Sequence, residues 1–130
     1  MGKKSQYHLE IGLLGENLGV RYLKQKGCRV LATRYTNSSG PRLGEIDIVI
    51  EKGKKIVFVE VKTRLAREGE TILPEENITK EKLRKLERIA SAYLREKDRR
   101  GKDYGFDALS ILYDPYTKTA QIRHLEDIFL

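Results

Sequence analysis

Three residues in the middle of the chain have the types and spacing of a metal-dependent phosphoryl-transfer site: Asp47, thirteen residues on Glu60, and two beyond it Lys62. Two carboxylates held side by side repel each other, and their oxygens suit a hard divalent cation such as Mg2+ or Mn2+, which leaves positions open for substrate phosphate. A lysine on the same face can orient an attacking water or balance the charge developing at phosphorus. The chemistry so composed is phosphodiester hydrolysis. The same residue types would also suit a solvated hairpin face on which Lys62 merely neutralises Glu45 or Glu60.

The stretch that must position them is GEIDIVIEKGKKIVFVEVKTR, Gly44 to Arg64. Its runs Ile46–Ile50 and Ile56–Val61 are rich in β-branched residues and flank a charged break at Gly53, which reads as a β-hairpin. Alternation puts Glu60 and Lys62 on one face and Val57, Val59 and Val61 on the other. A two-residue loop of Gly53 and Lys54, with glycine first as a type II′ turn prefers, pairs Lys52 with Lys55 and sets Asp47 opposite Glu60. A three-residue loop would shift that register. Directly opposed side chains have Cβ atoms roughly 5 Å apart, so a cation is expected between the two carboxylates, with the carbonyl of Val61 a further candidate ligand.

These residues carry a resemblance. Asp47…Glu60-Val61-Lys62 resembles the D…(D/E)-x-K signature of the restriction-endonuclease-like nucleases. The longer pattern is similar to the YraN family of bacterial endonuclease-like proteins, itself compared with archaeal Holliday-junction resolvases. It comprises Gly15-Glu16, then Tyr22, Leu23 and Gly27, then GEIDIV…VFVEVKTR, then Lys82, Leu86, Ala90, Tyr93 and Leu94, and last Phe106-Asp107. It runs from Leu14 to Phe129, with a longer Asn37–Leu43 segment than the family pattern has. The resemblance implies a restriction-endonuclease-like α/β core, a mixed central sheet flanked by helices. It also implies Mg2+- or Mn2+-dependent cleavage of DNA, branched or single-stranded, with Glu16 as a third acidic group beside Asp47, Glu60 and Lys62.

The rest of the chain must supply the elements around the hairpin. At 130 residues it has the length of one domain, 1–130, able to bury a single core. Ile11, Leu14, Leu18 and Tyr22 recur at helical spacing over Ser5 to Lys26, and Gly27 offers a left-handed stop. Gly12, Gly15 and Gly19 each cost such a helix about 1 kcal/mol relative to alanine, so close approach of another backbone is expected there. Glu16 lies on their side of the helix, within reach of the hairpin's charged face. Cys28–Tyr35 reads as a strand, followed by a polar loop from Thr36 to Arg42. Leu65–Ile78 reads as a loop carrying Gly69, Pro74 and the acids Glu68, Glu70, Glu75 and Glu76. Thr79 caps a second helix to Arg100 with an apolar stripe from Leu83 to Leu94. Tyr104–Tyr113 and Thr119–Leu125 read as strands joined by a turn, with a tail to Leu130 that caps the core. The order is αβββαββ, a mixed sheet with helices packed on it.

Charge points to the partner. The chain has a net charge of +7 and a pI near 9.5, which favours a polyanion. Ten basic and four acidic residues fall between Lys80 and Lys102, so nearly all the excess is local to the second helix. Lys82, Lys85 and Arg88 are therefore candidate nucleic-acid contacts, as are Arg34, Arg42, Thr63 and Arg64 around the hairpin; an ordinary solvated surface would carry the same residues. Asp107 and His124 stand apart from any ligand spacing and read as structural. The lone Cys28 excludes a disulfide framework or a cysteine metal site, and no apolar run approaches membrane-spanning length. With no signal peptide ahead of the first helix, the expectation is a cytoplasmic protein with DNA, not a membrane, as partner, able to form a homodimer. Other classes remain open: a non-catalytic nucleic-acid-binding protein of the same fold, or a protein-interaction subunit.

Overall fold

The computed structural model describes residues 3–67 and 79–128, with side chains of the first helix from Leu9 onward. The elements are α1 (Lys3–Gln25), β1 (Arg29–Tyr35), β2 (Ile46–Lys52), β3 (Lys55–Leu65), α2 (Lys80–Glu96), β4 (Tyr104–Asp114) and β5 (Thr119–Leu125). They build one sheet in the order β1-β2-β3-β4-β5. Only β3 and β4 run parallel. A parallel pair needs a crossover connection, and α2 provides it. The expected α/β architecture and element order are observed.

The β2–β3 hairpin has the register read from the sequence, Lys52 opposite Lys55 and Ile48 opposite Val59. Gly53 takes φ +62° while Lys54 stays outside the left-handed region, as a II′ turn requires. The two sheet faces carry separate cores. Ile48, Ile50, Val57, Val59, Leu109 and Ile111 pack on Leu23 of α1, whereas Val49, Phe58 and Phe106 pack on Leu83, Ile89 and Tyr93 of α2. The sheet is thus sandwiched between two helices that bury its alternate positions.

Both helix ends follow from hydrogen bonding. Gly27, at φ +86°, closes α1 as Cys28 N–H reaches Leu23 carbonyl and Gly27 N–H reaches that of Lys24, both at 3.0 Å. The second helix stops at Glu96, short of the Arg100 expected from sequence. Asp98 turns left-handed at φ +53°, and Arg99 N–H bonds the Leu94 carbonyl at 2.7 Å. A short polar side chain tolerates that conformation, so the helix ends without waiting for Gly101. Thr79 caps α2 by accepting from Lys82 N–H at 3.1 Å.

The glycine-rich face of α1 meets side chains rather than the backbone expected. A Cβ at Gly15 would overlap Thr63, and one at Gly19 would press on Ile48 and Leu109 at 3.2 Å, while Gly12 faces open space. The polar loop after β1 is tied down by Glu96, which accepts from the Tyr35 hydroxyl at 2.5 Å and from Ser38 and Ser39 N–H at 3.1 and 3.3 Å. The acidic loop read between β3 and α2 falls largely on residues 68–78, and the end of the tail on 129–130, outside the described residues. The described part of the tail does reach the core: Ile128 packs against the α2-side cluster and donates to the Phe106 carbonyl at 2.8 Å.

Candidate metal centre

Asp47 sits where the β2–β3 ladder ends. The paired register stops at Ile48 and Val59, and the Asp47 carboxylate takes the next position, accepting from Val61 N–H at 2.8 Å. Side-chain alternation also slips here, since Ile46 lies on the α2 face and Ile48 on the α1 face. Asp47 faces α1 there, and Glu45, two positions before it, reaches the same place as alternation allows. Glu16, from the middle of α1, completes the group: Glu16, Glu45 and Asp47 each offer a carboxylate oxygen within 4.8 Å of the others. Gly15 beside Glu16 explains the approach, because the helix can lie directly on Thr63.

The electrostatics are those of crowded anions. Burial pushes the Asp47 carboxyl up to about 6, with the like charges of Glu60, Glu16 and Glu45 adding to the rise and the Val61 N–H opposing it. Burial likewise raises Glu16, partly offset by the Arg34 guanidinium. Arg34 Nε lies 3.3 Å from Glu16, and Arg34 holds a left-handed φ of +49°, a conformation that costs a non-glycine residue about 1 kcal/mol or more. It is a cation at the cluster, beside Arg42 on Glu45, and its side chain is half exposed. An all-oxygen donor set of this kind fits Mg2+ or Mn2+.

The other residues singled out from sequence are distributed differently. Glu60, expected to face Asp47 across a cation, has a largely buried side chain paired with Lys82 of α2 at 3.1 Å, and it lines a separate small cavity with Leu86 and Lys85. It contributes to the field on Asp47 but is not one of the three converging carboxylates. Glu60 nevertheless exerts the strongest like-charge effect on Asp47, ahead of Glu16 and Glu45, while its own carboxylate is turned to Lys82. Glu45 was missed although the signal was present, since it stands two positions before Asp47 and residues two apart in a strand share a face. Val61 borders the cluster, and Lys62 is exposed on β3.

Of the residues proposed for nucleic acid, Arg42 pairs with Glu45 at 3.4 Å, Lys85 with Glu81 at 3.8 Å, Lys82 with Glu60, and Thr63 lies under Gly15. Arg64 and Arg88 are exposed. Asp107 and His124 are not isolated as their sequence positions suggest. His124 Nε2 lies 2.7 Å from the Asp107 carboxylate, and its Nδ1 lies 3.1 Å from the Tyr22 hydroxyl. With Glu126 they form a second group of ligand-type atoms within 4.8 Å. Their mutual bonds engage both ring nitrogens, so the group reads as a buried polar tie between α1, β4 and β5.

Comparison with known proteins accounts for most of the chain. A family model described as uncharacterised protein family UPF0102 matches residues 15–111. A UPF0102 protein of Pelotomaculum thermopropionicum is 37% identical over 119 residues, covering 92% of this chain and 94% of its own. Another, from Dictyoglomus turgidum, is 38% identical over 120 residues, covering 92% and 97%, as is one from Syntrophomonas wolfei. Among the described residues no helix is long and apolar enough to cross a membrane. With the family match spanning both the acidic cluster and the hairpin, the chain belongs to the UPF0102, or YraN, family.

Proposed function

We propose that the protein is a divalent-metal-dependent nuclease of restriction-endonuclease-like fold that hydrolyses phosphodiester bonds in DNA. One observation carries this reading: three carboxylates, from α1, from β2 and from the residue just before β2, converge within 4.8 Å, and burial and mutual repulsion raise the Asp47 carboxyl. Glu16, Glu45 and Asp47 would hold the cation, and when bound it supplies Lewis-acid activation of a water and a phosphoryl oxygen. Val61 fixes the Asp47 carboxylate through its N–H, and its carbonyl is a candidate ligand. Glu60 would join from β3 on release from Lys82. Lys62 would orient the attacking water or balance charge at phosphorus. Arg34, freed from Glu16, would contact a phosphate.

The test is cleavage of a labelled panel, comprising four-way junction, flap, single strand, duplex and RNA, with Mg2+ or Mn2+. The expected result is metal-dependent cutting that falls about 100-fold or more in Asp47→Asn and Lys62→Ala. No cutting of any substrate by the wild type, or undiminished cutting by folded Asp47→Asn, would sink the reading. The Glu60–Lys82 and Glu16–Arg34 pairs, which neutralise two carboxylates without a metal, favour a second reading. In it the same fold binds nucleic acid without cutting; binding that persists in EDTA, with no cleavage, is its signature.

A further inference from the structure

Two cavities lie along the N-terminal half of α1, on the side of the acidic cluster. One, of about 400 Å3, is bounded by Leu9, Leu13, Glu16 and Asp47. The other, of about 500 Å3, is bounded by Ile11, Arg64 and Arg67. Each falls in the range of about 300–1,000 Å3 typical of small-ligand sites. Both have Gly12 and Val61 as walls, so they adjoin over those two residues.

Gly12 is the unexplained residue. Gly15 and Gly19 lack side chains because Thr63, Ile48 and Leu109 occupy the space, but a Cβ at Gly12 would meet nothing within 4 Å. A glycine inside a helix costs about 1 kcal/mol relative to alanine, and no packing contact among the described residues requires it. Its bare backbone lies where the two cavities adjoin. The walls on either side differ in character. Leu9 is 65% exposed and Leu13 36%, an apolar rim one and two turns before Glu16, whereas the far cavity carries two arginines.

We propose that the two cavities form one groove that takes a single strand of nucleic acid across Gly12. A base packs on Leu9 and Leu13, its phosphate sits at the acidic cluster with the cation, and the next phosphate lies at Arg64 and Arg67. The inference rests on the nuclease reading for the phosphate at the acidic cluster. An unpaired strand is the fitting substrate class, since unstacked bases present a face to side chains while a duplex keeps them stacked inside. Gly12 then sets specificity by leaving room for the backbone between two subsites.

The test is fluorescence anisotropy of a fluorescein-labelled oligothymidylate in Ca2+, which takes the same carboxylate ligands, for wild type, Gly12→Ala and Gly12→Leu. Both substitutions improve helix propensity, so circular dichroism and Tm should report an intact fold. Affinity for the oligomer is expected to fall about tenfold in Gly12→Leu, the scale of one lost base contact, and less in Gly12→Ala, with thymidine monophosphate unaffected. Wild-type affinity in Gly12→Leu, no single-strand binding by wild type, or duplex bound as tightly as single strand would overturn the groove. Failure of the two ideas is distinguishable. Cutting that needs Asp47 but ignores Gly12→Leu leaves the nuclease and removes the groove, whereas Gly12-dependent binding without any cutting does the reverse.

Discussion

Among the described carboxylates, Asp47 is the one whose ionisation the fold opposes most strongly. Burial among like charges raises its carboxyl from 3.8 to about 6, so the folded state holds that proton more tightly than the unfolded chain. The sign follows: Asp47 lowers stability progressively as pH rises from about 4 through about 6, and the loss stays constant above. The ceiling on that loss is roughly 3 kcal/mol. Asp47→Asn keeps an oxygen to accept from Val61 N–H and removes the charge. In EDTA at neutral pH its Tm should exceed that of the wild type by several degrees, with the gap closing near pH 4. Added Mn2+ should then raise the wild-type Tm and leave the variant unmoved, as binding to the folded state alone stabilises it. Equal melting at neutral pH, or a gap that persists into acid, would show that Asp47 carries no such strain.

Among the elements, α1 and α2 each do more than cover a sheet face. Gly15 lets α1 lie on Thr63 and so carries Glu16 to the cluster. Gly15→Ala should destabilise the protein by about 1–3 kcal/mol through overpacking, whereas Gly12→Ala should be neutral or stabilising by up to about 1 kcal/mol; chemical denaturation of the pair checks both, and equal effects would contradict the close approach. Glu96, drawn down to about 2 by the Tyr35 hydroxyl and the Ser38 and Ser39 amides, ties the loop after β1 to α2. Glu96→Ala should speed hydrogen exchange at Ser38 and Ser39, and unchanged exchange would mean the loop orders itself. These ties mark the limit of sequence reading. The hairpin register was legible because alternation and the Gly53 turn are local signals. The link from Glu45 to Asp47 was within reach of the same alternation, since the two stand two residues apart, and Asp107–His124 is a diagonal contact between the paired strands β4 and β5; Glu60–Lys82 was not legible, because it depends on how α2 packs against the sheet.

At the scale of the whole molecule, charge is segregated. The excess lies between Lys80 and Lys102, while Glu16 and Asp47 of the acidic cluster line a cavity against α1 and Glu45 also borders Lys82 and Lys85 of α2. Binding of DNA should therefore weaken steeply with salt as displaced counterions lose their advantage, and replacing Arg88 and Lys85 by glutamate should flatten the slope of log K against log salt by about 2. A slope unchanged by those substitutions would place the phosphate contacts elsewhere, along the α1 groove. The element order and a mixed sheet with helices packed on it were legible from periodicity, since both helices and all five strands carry their own patterns. Which sheet face holds which charge was not, because it follows from a crossover whose path no local signal encodes.

The most direct measurement is Mn2+ titration followed by electron paramagnetic resonance, on wild type, Asp47→Asn and Glu45→Gln. Bound Mn2+ in the wild type, lost or sharply weakened in both variants, is the expected result. No Mn2+ bound by the wild type, or binding undisturbed in both variants, would contradict a metal centre built from Glu16, Glu45 and Asp47, and with it the nuclease built on that centre.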